Sequence, residues 1–426
     1  MKKYQAYKDS GISWIGEIPV DWSIKKLKYY TTTNDEVLTE STAPNYEFRY
    51  VDIGSVTLQK GIEQYQVFSF ENAPSRARRI VRAGDVIVST VRTYLKAVAS
   101  IHDDKDVIVS TGFAVIRPKE VDSRFLAYSL ANHYFVEMVS SRSTGVSYPA
   151  INASAMVNIK NVLPPNDIQK CIADYLDRKT EAVDTAISDK EKLIRLLEEQ
   201  RTSVICSAVT KGIDSTAEMK DSGNEWLGYI PSHWRVAPAK ALFAQSKEIR
   251  HETDAQLTAS QKYGIISQDD YMERQNYKIV LADKGLENWK HVEPNDFIIS
   301  LRSFQGGLEI SYIPGCITWH YIVLKPKAGV EPEYFKWLFK SPRYIQALQR
   351  TGNFIRDGQD LRFSNFVQVP LPLIPMEEQK EIAEYLNRET ARIDSIIADV
   401  TEQIEKLKEY RQSIISEVVT GKVAVE

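Results

Sequence analysis

Asp9-Ser10-Gly11-x-x-Trp14-x-Gly16-x-Ile18-Pro19-x-x-Trp22 returns as Asp221-Ser222-Gly223-x-x-Trp226-x-Gly228-x-Ile230-Pro231-x-x-Trp234, half of the 426-residue chain later. A second stretch, Pro165-x-x-x-Gln169-x-x-Ile172-Ala173-x-Tyr175-Leu176-x-Arg178-x-Thr180-x-x-x-Asp184, returns as Pro375-x-x-x-Gln379-x-x-Ile382-Ala383-x-Tyr385-Leu386-x-Arg388-x-Thr390-x-x-x-Asp394. A period this long exceeds any solenoid unit and reads as two copies of a whole module. Two similar halves suit two similar targets, or one target with two parts.

The composition, 43% hydrophobic and 26% charged, is that of a globular chain long enough for several cores. No apolar run approaches the roughly 18 residues of a membrane span, and the start, Met1-Lys2-Lys3-Tyr4-Gln5, lacks the apolar core of a signal peptide. The cysteines, Cys171, Cys206 and Cys316, are odd in number and far apart. That argues against a disulfide scaffold or a zinc knuckle and for a reducing compartment, so the cytoplasm is expected. The net charge of −3 and an isoelectric point near 6.2 do not announce a nucleic-acid binder. Binding to DNA would need positive charge gathered locally. Arg76, Arg78, Arg79, Arg82, Arg92 and Lys96 form such a gathering, while acids such as Glu198-Glu199 and Glu377-Glu378 crowd the helical stretches.

Two kinds of segment alternate. From about 20 to 160 the pattern favours short strands, turns and a few helices. Asp85 to Val91 is a β-branched run entered through Ala83-Gly84, and Thr111 to Pro118 is another. Ser123 to Val139 is amphipathic and reads as a helix. The second copy keeps the order: Asp296 to Ser300, Tyr321 to Pro326, then a helix over Pro332 to Leu348. Between these anchors the copies differ almost everywhere. The frames are shared and the loops are not.

The other kind is helical. Neither Asp167 to Val209 nor Glu377 to Val419 contains glycine or proline. Ile393, Val400, Leu407 and Ile414 recur at heptad spacing, with Ile396, Ile397, Ile404, Tyr410 and Val418 beside them. The first copy offers Val183, Leu197 and Val204, flanked by Ala186, Ile187, Leu193 and Ile194, with Lys190 interrupting the seam where the other copy has Val400. Gly212 and Gly421 are the expected helix stops. An apolar stripe must be buried, and the simplest partner for each helix is its duplicate, packed antiparallel. About 29 residues of clean heptad make roughly 43 Å at 1.5 Å per residue. The helix-pair residues are therefore expected to be Val183, Ile187, Ile194, Leu197, Val204, Ile393, Ile397, Val400, Ile404, Leu407 and Ile414. The alternative packs each helix onto its own module. The expected fold class is α+β: two similar globular domains joined by two long antiparallel helices forming a coiled coil, with a pseudo-twofold internal repeat. The segments are 1–160, 161–212, 213–370 and 371–426.

The order module, helix, module, helix resembles the specificity subunit of type I restriction-modification enzymes. The resemblance rests on Trp-x-Gly-x-Ile-Pro-x-x-Trp before each module, and on Leu163-Pro164-Pro165 and Leu373-Ile374-Pro375 before the helices. It also rests on Gln169-x-x-Ile172-Ala173 and Glu378-Gln379-x-x-Ile382-Ala383. It covers the whole chain. One departure is Asn166-Asp167-Ile168-Gln169, where the family favours Glu-Glu-Gln, as Glu377-Glu378-Gln379 has it. The resemblance implies that each module is a target recognition domain reading one half of a split duplex DNA sequence. It implies that the helices fix the gap and that two methyltransferase (modification) subunits dock on the chain. Catalysis would lie in those subunits and in restriction subunits. They would use S-adenosylmethionine, ATP and Mg, with no cofactor bound by this chain. Half-sites one helical turn apart need roughly 34–36 Å, within reach of helices of this length.

Base edges are read by Arg, Lys, Asn, Gln, Ser or Thr, while most contacts go to phosphate. The expected DNA-binding residues of the first module are Arg76, Arg78, Arg79, Arg92, Tyr94, Lys96, Arg142, Ser143 and Thr144. Those of the second are Arg302, Ser303, Gln305, Arg350, Asn353, Arg356 and Arg362, with Ser300 to Gly307 as a reading loop. The bland reading for any one arginine is a solvated face or an ion pair. Trp14, Trp22, Trp226 and Trp234 suit structural anchors better than base stacking. Arg201 and Arg411 share a flanking seam position, suited to bridging the helices or meeting a modification subunit.

An enzyme is not expected. Leu163-Pro164-Pro165-Asn166 lacks the leading acid or amide and the aromatic of a methyltransferase base loop. No P-loop is present. The six histidines include no pair at metal-ligand spacing, so no metal site is expected. Two rivals stay open: a self-contained DNA-modifying enzyme, which activity of the isolated chain would reveal, and a coiled-coil scaffold with protein-binding modules. A scaffold would lack salt-sensitive, sequence-selective duplex binding.

Overall fold

The computed structural model describes residues 3–276, 285–301, 303–352 and 361–425. The chain divides into two compact units, Met1–Glu191 with Thr401–Glu426, and Lys192–Val400. Each unit gathers one module with parts of both long helices, so the four stretches named above are regrouped in space.

In the first unit the strands of the two larger sheets are β1 (Thr31–Thr33), β2 (Glu47–Val51), β3 (Gln66–Ser69), β4 (Ala77–Ile80), β5 (Val86–Ser89), β6 (Val98–Ser100), β7 (Val107–Ser110) and β8 (Phe113–Pro118). They form two four-stranded sheets, ordered β6-β5-β8-β1 and β3-β2-β7-β4. Helices α1 (Ser123–Ala131) and α2 (His133–Ser141) follow. Side chains alternate across a strand, and here both faces are buried. Val86, Val88, Ala114 and Ile116 pack on Leu126, Leu130, Phe135 and Val139 of the helices. Ile87 and Val115, one residue out of phase, pack on Val107 and Val109 of the other sheet. That is why β5 and β8 read as unbroken apolar runs.

The single helix expected over Ser123 to Val139 is two helices. Asn132 between them is extended (φ −68°, ψ 151°), and its side-chain oxygen accepts from the Phe135 amide at 3.0 Å, the arrangement of an N-cap. After the first long helix, α3 (Asn166–Lys211), the second unit repeats the scheme with β9 (Phe243–Gln245), β10 (Leu257–Ser260), β11 (Gly264–Ser267), β12 (Lys290–Val292), β13 (Phe297–Ile299), β14 (Glu309–Ile310), β15 (Gly315–Ile317) and β16 (Ile322–Pro326). Its helices are α4 (Pro332–Lys340) and α5 (Pro342–Gln349), and the second long helix, α6 (Met376–Val419), follows. Ser341 breaks α4 from α5 as Asn132 breaks α1 from α2, its hydroxyl accepting from the Tyr344 amide.

The order β9-β16-β13-β14 matches β1-β8-β5-β6 strand for strand. Among the described residues the second sheet is not repeated: its place is taken by the pairs β10–β11 and β12–β15. Duplication is therefore closest in the sheet that carries the helices and loosest in the sheet beyond it.

Within each unit the long helices pack antiparallel. In the first, Arg411 meets Asp184 and Lys190 donates to Gln403 at 2.6 Å, so rising numbers on α3 face falling numbers on α6. Lys190 thus fills its break in the seam with a polar contact. In the second, Ile205, Ala208 and Val209 share a core with Ile382, Ala383 and Leu386. Val183, Ile393, Val400, Ile404 and Ile414 are buried, and Ile187, Ile194, Leu197, Val204, Ile397 and Leu407 are half-buried. The outer flanks Leu193, Ile396 and Tyr410 are exposed. Helix ends also repeat. Gly421 (φ +75°) closes against Pro19 and Trp22, and Gly212 (φ +75°) against Pro231 and Trp234. Trp22 and Trp234 are 2% and 0% exposed, so both are structural anchors. Among the described residues no helix is long and apolar enough to cross a membrane.

Candidate nucleic-acid interface

In the first unit β5 runs out into Thr90 to Lys96. Arg92 (φ 51°) and Lys96 (φ 53°) hold left-handed backbone on either side of a short 3-10 turn, Thr93–Leu95. Such conformations are strained for residues with a Cβ and persist where surroundings enforce them. The enforcement is visible. Thr93 is buried and donates to the Ser143 hydroxyl at 2.8 Å, and Ser143 donates to the Val139 carbonyl at 2.8 Å. Thr144 and Ala150 exchange backbone bonds at 2.9 Å, and the Ile151 amide donates to the Thr90 carbonyl. The loop 142–150 is thereby pinned to the strand exit.

What this frame presents is aromatic and basic. Tyr94, Val146 and Tyr148 are exposed, and the Arg92 guanidinium lies 5.0 Å over the Tyr148 ring. Tyr50, Asp52, Arg76, Arg92, Ser110 and Tyr148 line a pocket of about 430 Å³. Asp52 is occupied internally, accepting from the Ser55 amide and hydroxyl at 3.0 and 2.9 Å. Two arginines against this one carboxylate leave the lining net positive. Hydrogen bonding and stacking to nucleic acid both become available here.

The row of cations from Arg76 to Lys96 is not one patch. Arg76 and Arg92 come together. Arg78 lies 4.7 Å over the Phe70 ring with Glu40 at 3.9 Å. Arg79, the next residue along β4, points to the other face; its Nε is buried with no hydrogen-bond partner among the described residues, and burial pulls its pKa down. Arg82 is gripped by Glu36 at 2.7 Å, and Lys96 by Glu137 at 2.6 Å. Alternation parts Arg79 from Arg78 across the sheet, a register shift between β4 and β7 falls at Arg78, and Arg82 and Lys96 lie off β4 beside Glu36 and Glu137. Arg142 and Thr144 are exposed on the pinned loop, whereas Ser143 is turned inward to support it. Tyr50, Val146 and Tyr148 were missed. The signal was present in Gly145-Val146-Ser147-Tyr148-Pro149, an aromatic in a glycine-led loop.

In the second unit the equivalent strand, β13, exits into a short helical turn, Ser303–Gly306, rather than an open loop. Ser303 is 1% exposed and its hydroxyl accepts from the Ser300 amide at 2.9 Å. It holds the turn and is not a surface reader, which corrects the expectation. Gln305 and Arg362 are exposed. Arg350 pairs with Glu225 at 2.8 Å and joins Phe304, Gln346 and Gln349 around a shallow pocket of about 410 Å³. Arg302, Asn353 and Arg356 lie outside the described residues.

Arg201 and Arg411, left open above between bridging the helices and meeting a partner, each bridge. Arg201 Nε reaches Asp394 and Arg411 Nε reaches Asp184, both at 2.8 Å.

Comparisons with known proteins bear on the two modules as wholes. Residues 19–194 and 231–406 each match the family model described as the type I restriction modification DNA specificity domain. The chain is 23% identical over 464 aligned positions to the "Putative type I restriction enzyme MjaX specificity subunit" of Methanocaldococcus jannaschii, covering 99% of both chains. It is 22% identical to the type I restriction enzyme EcoKI specificity subunit of Escherichia coli K12, covering 73% of this chain and 68% of that one. Among solved structures, a chain described under complex assembly and conformational transition of the type I R-M system superposes with a TM-score of 0.71 at 21% identity, covering 95% of this chain and 99% of that one. The HsdS subunit from Thermoanaerobacter tengcongensis superposes at 0.52 with 23% identity, covering 95% and 98%.

Proposed function

Because this chain belongs to the DNA specificity family of type I restriction-modification systems, we propose that its modules read unlike half-sites of one bipartite duplex target. The single observation that carries this is the pairing of a repeated frame with unrepeated presentation. The sheets β6-β5-β8-β1 and β14-β13-β16-β9 correspond, yet the equivalent strands exit differently: into a turn carrying Arg92, against which the loop of Tyr148 is pinned, in one copy, and into a short helix in the other. Two frames of like build suit a duplex, whose backbone is locally twofold. Unlike loops suit an asymmetric sequence.

In this reading Arg76, Arg92, Tyr148, Arg142 and Thr144 address the first half-site, and Gln305, Arg350 and Arg362 the second. The long helices set the gap and offer docking faces to two methyltransferase subunits, with restriction subunits joining that assembly. The chain itself does no chemistry. S-adenosylmethionine, ATP and Mg belong to the partners, and the work takes place in the cytoplasm. Exposed Leu193, Ile396 and Tyr410 on the outer helix flanks support docking.

The test is exchange. Residues 20–160 are replaced by the corresponding module of another family member, the methyltransferase is reconstituted, and methylated adenines are mapped. One half of the target changes and the other stays. A change in both halves, or in neither, ends the modular reading. Removing one heptad from each helix should narrow the gap and leave both halves intact.

A further inference from the structure

Histidines far apart in the sequence meet in the second unit. The segment after β9 is tied to β12 by backbone bonds: the Arg250 amide donates to Trp289 O at 2.9 Å, and the His291 amide to Glu248 O at 3.1 Å. This lays Glu248 and His251 against His291, which is 3% exposed. The two imidazole rings lie 4.0 Å apart. Ligand atoms of Glu248, His251 and His291 all fall within 4.8 Å of one another. His291 Nε2 faces Glu293 at 2.8 Å, and His291 Nδ1 faces Asp254 at 2.8 Å.

The internal repeat shows what this place holds in the other copy. The Arg82 amide donates to Asp85 at 2.8 Å, and the Glu293 amide donates to Asp296 at 2.9 Å, so Arg82 and Glu293 are equivalent. In the first unit Arg117 joins Glu36 to Asp85, at 2.7 and 2.9 Å, and Arg82 supplies a second cation to Glu36 at 2.7 Å. In the second unit Lys325 joins Glu248 to Asp296, at 3.4 and 3.6 Å. Among the described residues no arginine or lysine replaces Arg82, because a carboxylate stands in its position, and the second group on Glu248 is the His251 imidazole, with Nε2 at 3.4 Å. Two imidazoles and a further carboxylate, Asp254, surround the gap.

We propose that Glu248, His251, His291 and Glu293 form a site for one divalent transition-metal ion of the zinc class. Two imidazole nitrogens and two carboxylates are a ligand set that such an ion takes at about 2.0–2.2 Å in tetrahedral geometry. His291 ligates through Nε2 while Asp254 holds Nδ1–H, the outer contact that fixes a metal-bound imidazole. His251 and Glu293 have side chains 53% and 50% exposed, free to close by the ångström or so that coordination needs. The ion ties β12 to the segment after β9, where the second sheet departs from its counterpart in the first unit.

The full-length chain is stripped with a chelator and titrated with Zn²⁺ by calorimetry and with Co²⁺ by absorption. The expected result is one equivalent bound at micromolar affinity or tighter, with tetrahedral Co²⁺ bands and no thiolate charge-transfer band. His251→Ala, at a half-exposed position that leaves the core intact, weakens binding at least about tenfold, and Asp254→Asn weakens it by about 10–100-fold. Absence of stoichiometric binding overturns the proposal, in favour of a protonated His291 held between its carboxylates. So does binding unchanged in His251→Ala. A thiolate band abolished by Cys171→Ser also overturns it, since the ion then sits on an exposed cysteine.

Discussion

Arg411 of one long helix holds Asp184 of the other through two bonds, Nε to Oδ1 at 2.8 Å and Nη2 to Oδ2 at 3.2 Å. Arg201 holds Asp394 in the same way at 2.8 and 3.3 Å. Each residue is the duplicate of its counterpart in the other pair, so the sequence repeat yields two copies of one clasp. Asp184 is 48% exposed, and a pair this wet contributes about 0.2–1 kcal/mol. A double-mutant cycle on Arg411→Ala and Asp184→Ala, read by urea unfolding, should give coupling in that range that shrinks with salt.

The apolar seam outweighs the clasp. Ile414 is 2% exposed in a core with Trp22, Ile172 and Leu176. Ile414→Ala should cost about 2–5 kcal/mol, several times the ion-pair coupling. Urea unfolding of Ile414→Ala beside Arg411→Ala decides between them.

Helix closure depends on Gly421 in a way that a turn glycine's neighbours do not share. Gly11 (φ +68°) has open space where a Cβ would go, so Gly11→Ala should cost only the left-handed penalty of about 1–2 kcal/mol. A Cβ on Gly421 would run into Pro19 and Trp22. Gly421→Ala should therefore be clearly the worse of the two in thermal unfolding.

Arg92→Ala and Arg76→Ala should weaken binding of duplexes carrying the first half-site and leave discrimination at the second half-site alone. A base-reading arginine loses about 1–3 kcal/mol and relaxes specificity at one position; a phosphate contact lowers the salt slope by about one. Fluorescence anisotropy across salt concentrations separates the two. Lys96→Ala, whose ammonium is held by Glu137, should change neither.

Glu36 accepts from Arg82 and Arg117, which hold its carboxyl down to about 2 from an ordinary 4.5. A depressed carboxylate stabilises the fold above its unfolded value, and the contribution is lost as pH falls from about 4.5 towards 2. Unfolding midpoints should therefore drop across that window, and Glu36→Gln should flatten that part of the curve.

Much of the frame was legible in the chain. Duplication of Trp22 as Trp234, and of Gln169 as Gln379, located the anchors before any packing was known. Both glutamines prove to be buried and bonded alike: Gln169 accepts from the Asp122 amide at 2.9 Å and Gln379 from the Glu331 amide at 2.8 Å. Heptad spacing found the helices because a stripe that must be buried leaves a periodic trace. The surface proposed to face DNA was less legible. Arg78, Arg79 and Ser303 have the right chemistry, but Phe70 and Glu40 take up Arg78, alternation along β4 turns Arg79 to the other face, and an inward turn after β13 buries Ser303. Tyr148 reaches the surface beside Arg92 only because Ala150 pairs with both Val91 and Thr144.

The sequence by itself determined the repeat, the helices and the family, since each rests on periodicity or local motif along one strand of chain. Only the tertiary structure decided which charged groups meet. Arg92 and Tyr148, Arg411 and Asp184, and His251 and His291 are distant in sequence, and their approach is set by strand register and helix packing rather than by any spacing that a linear pattern records.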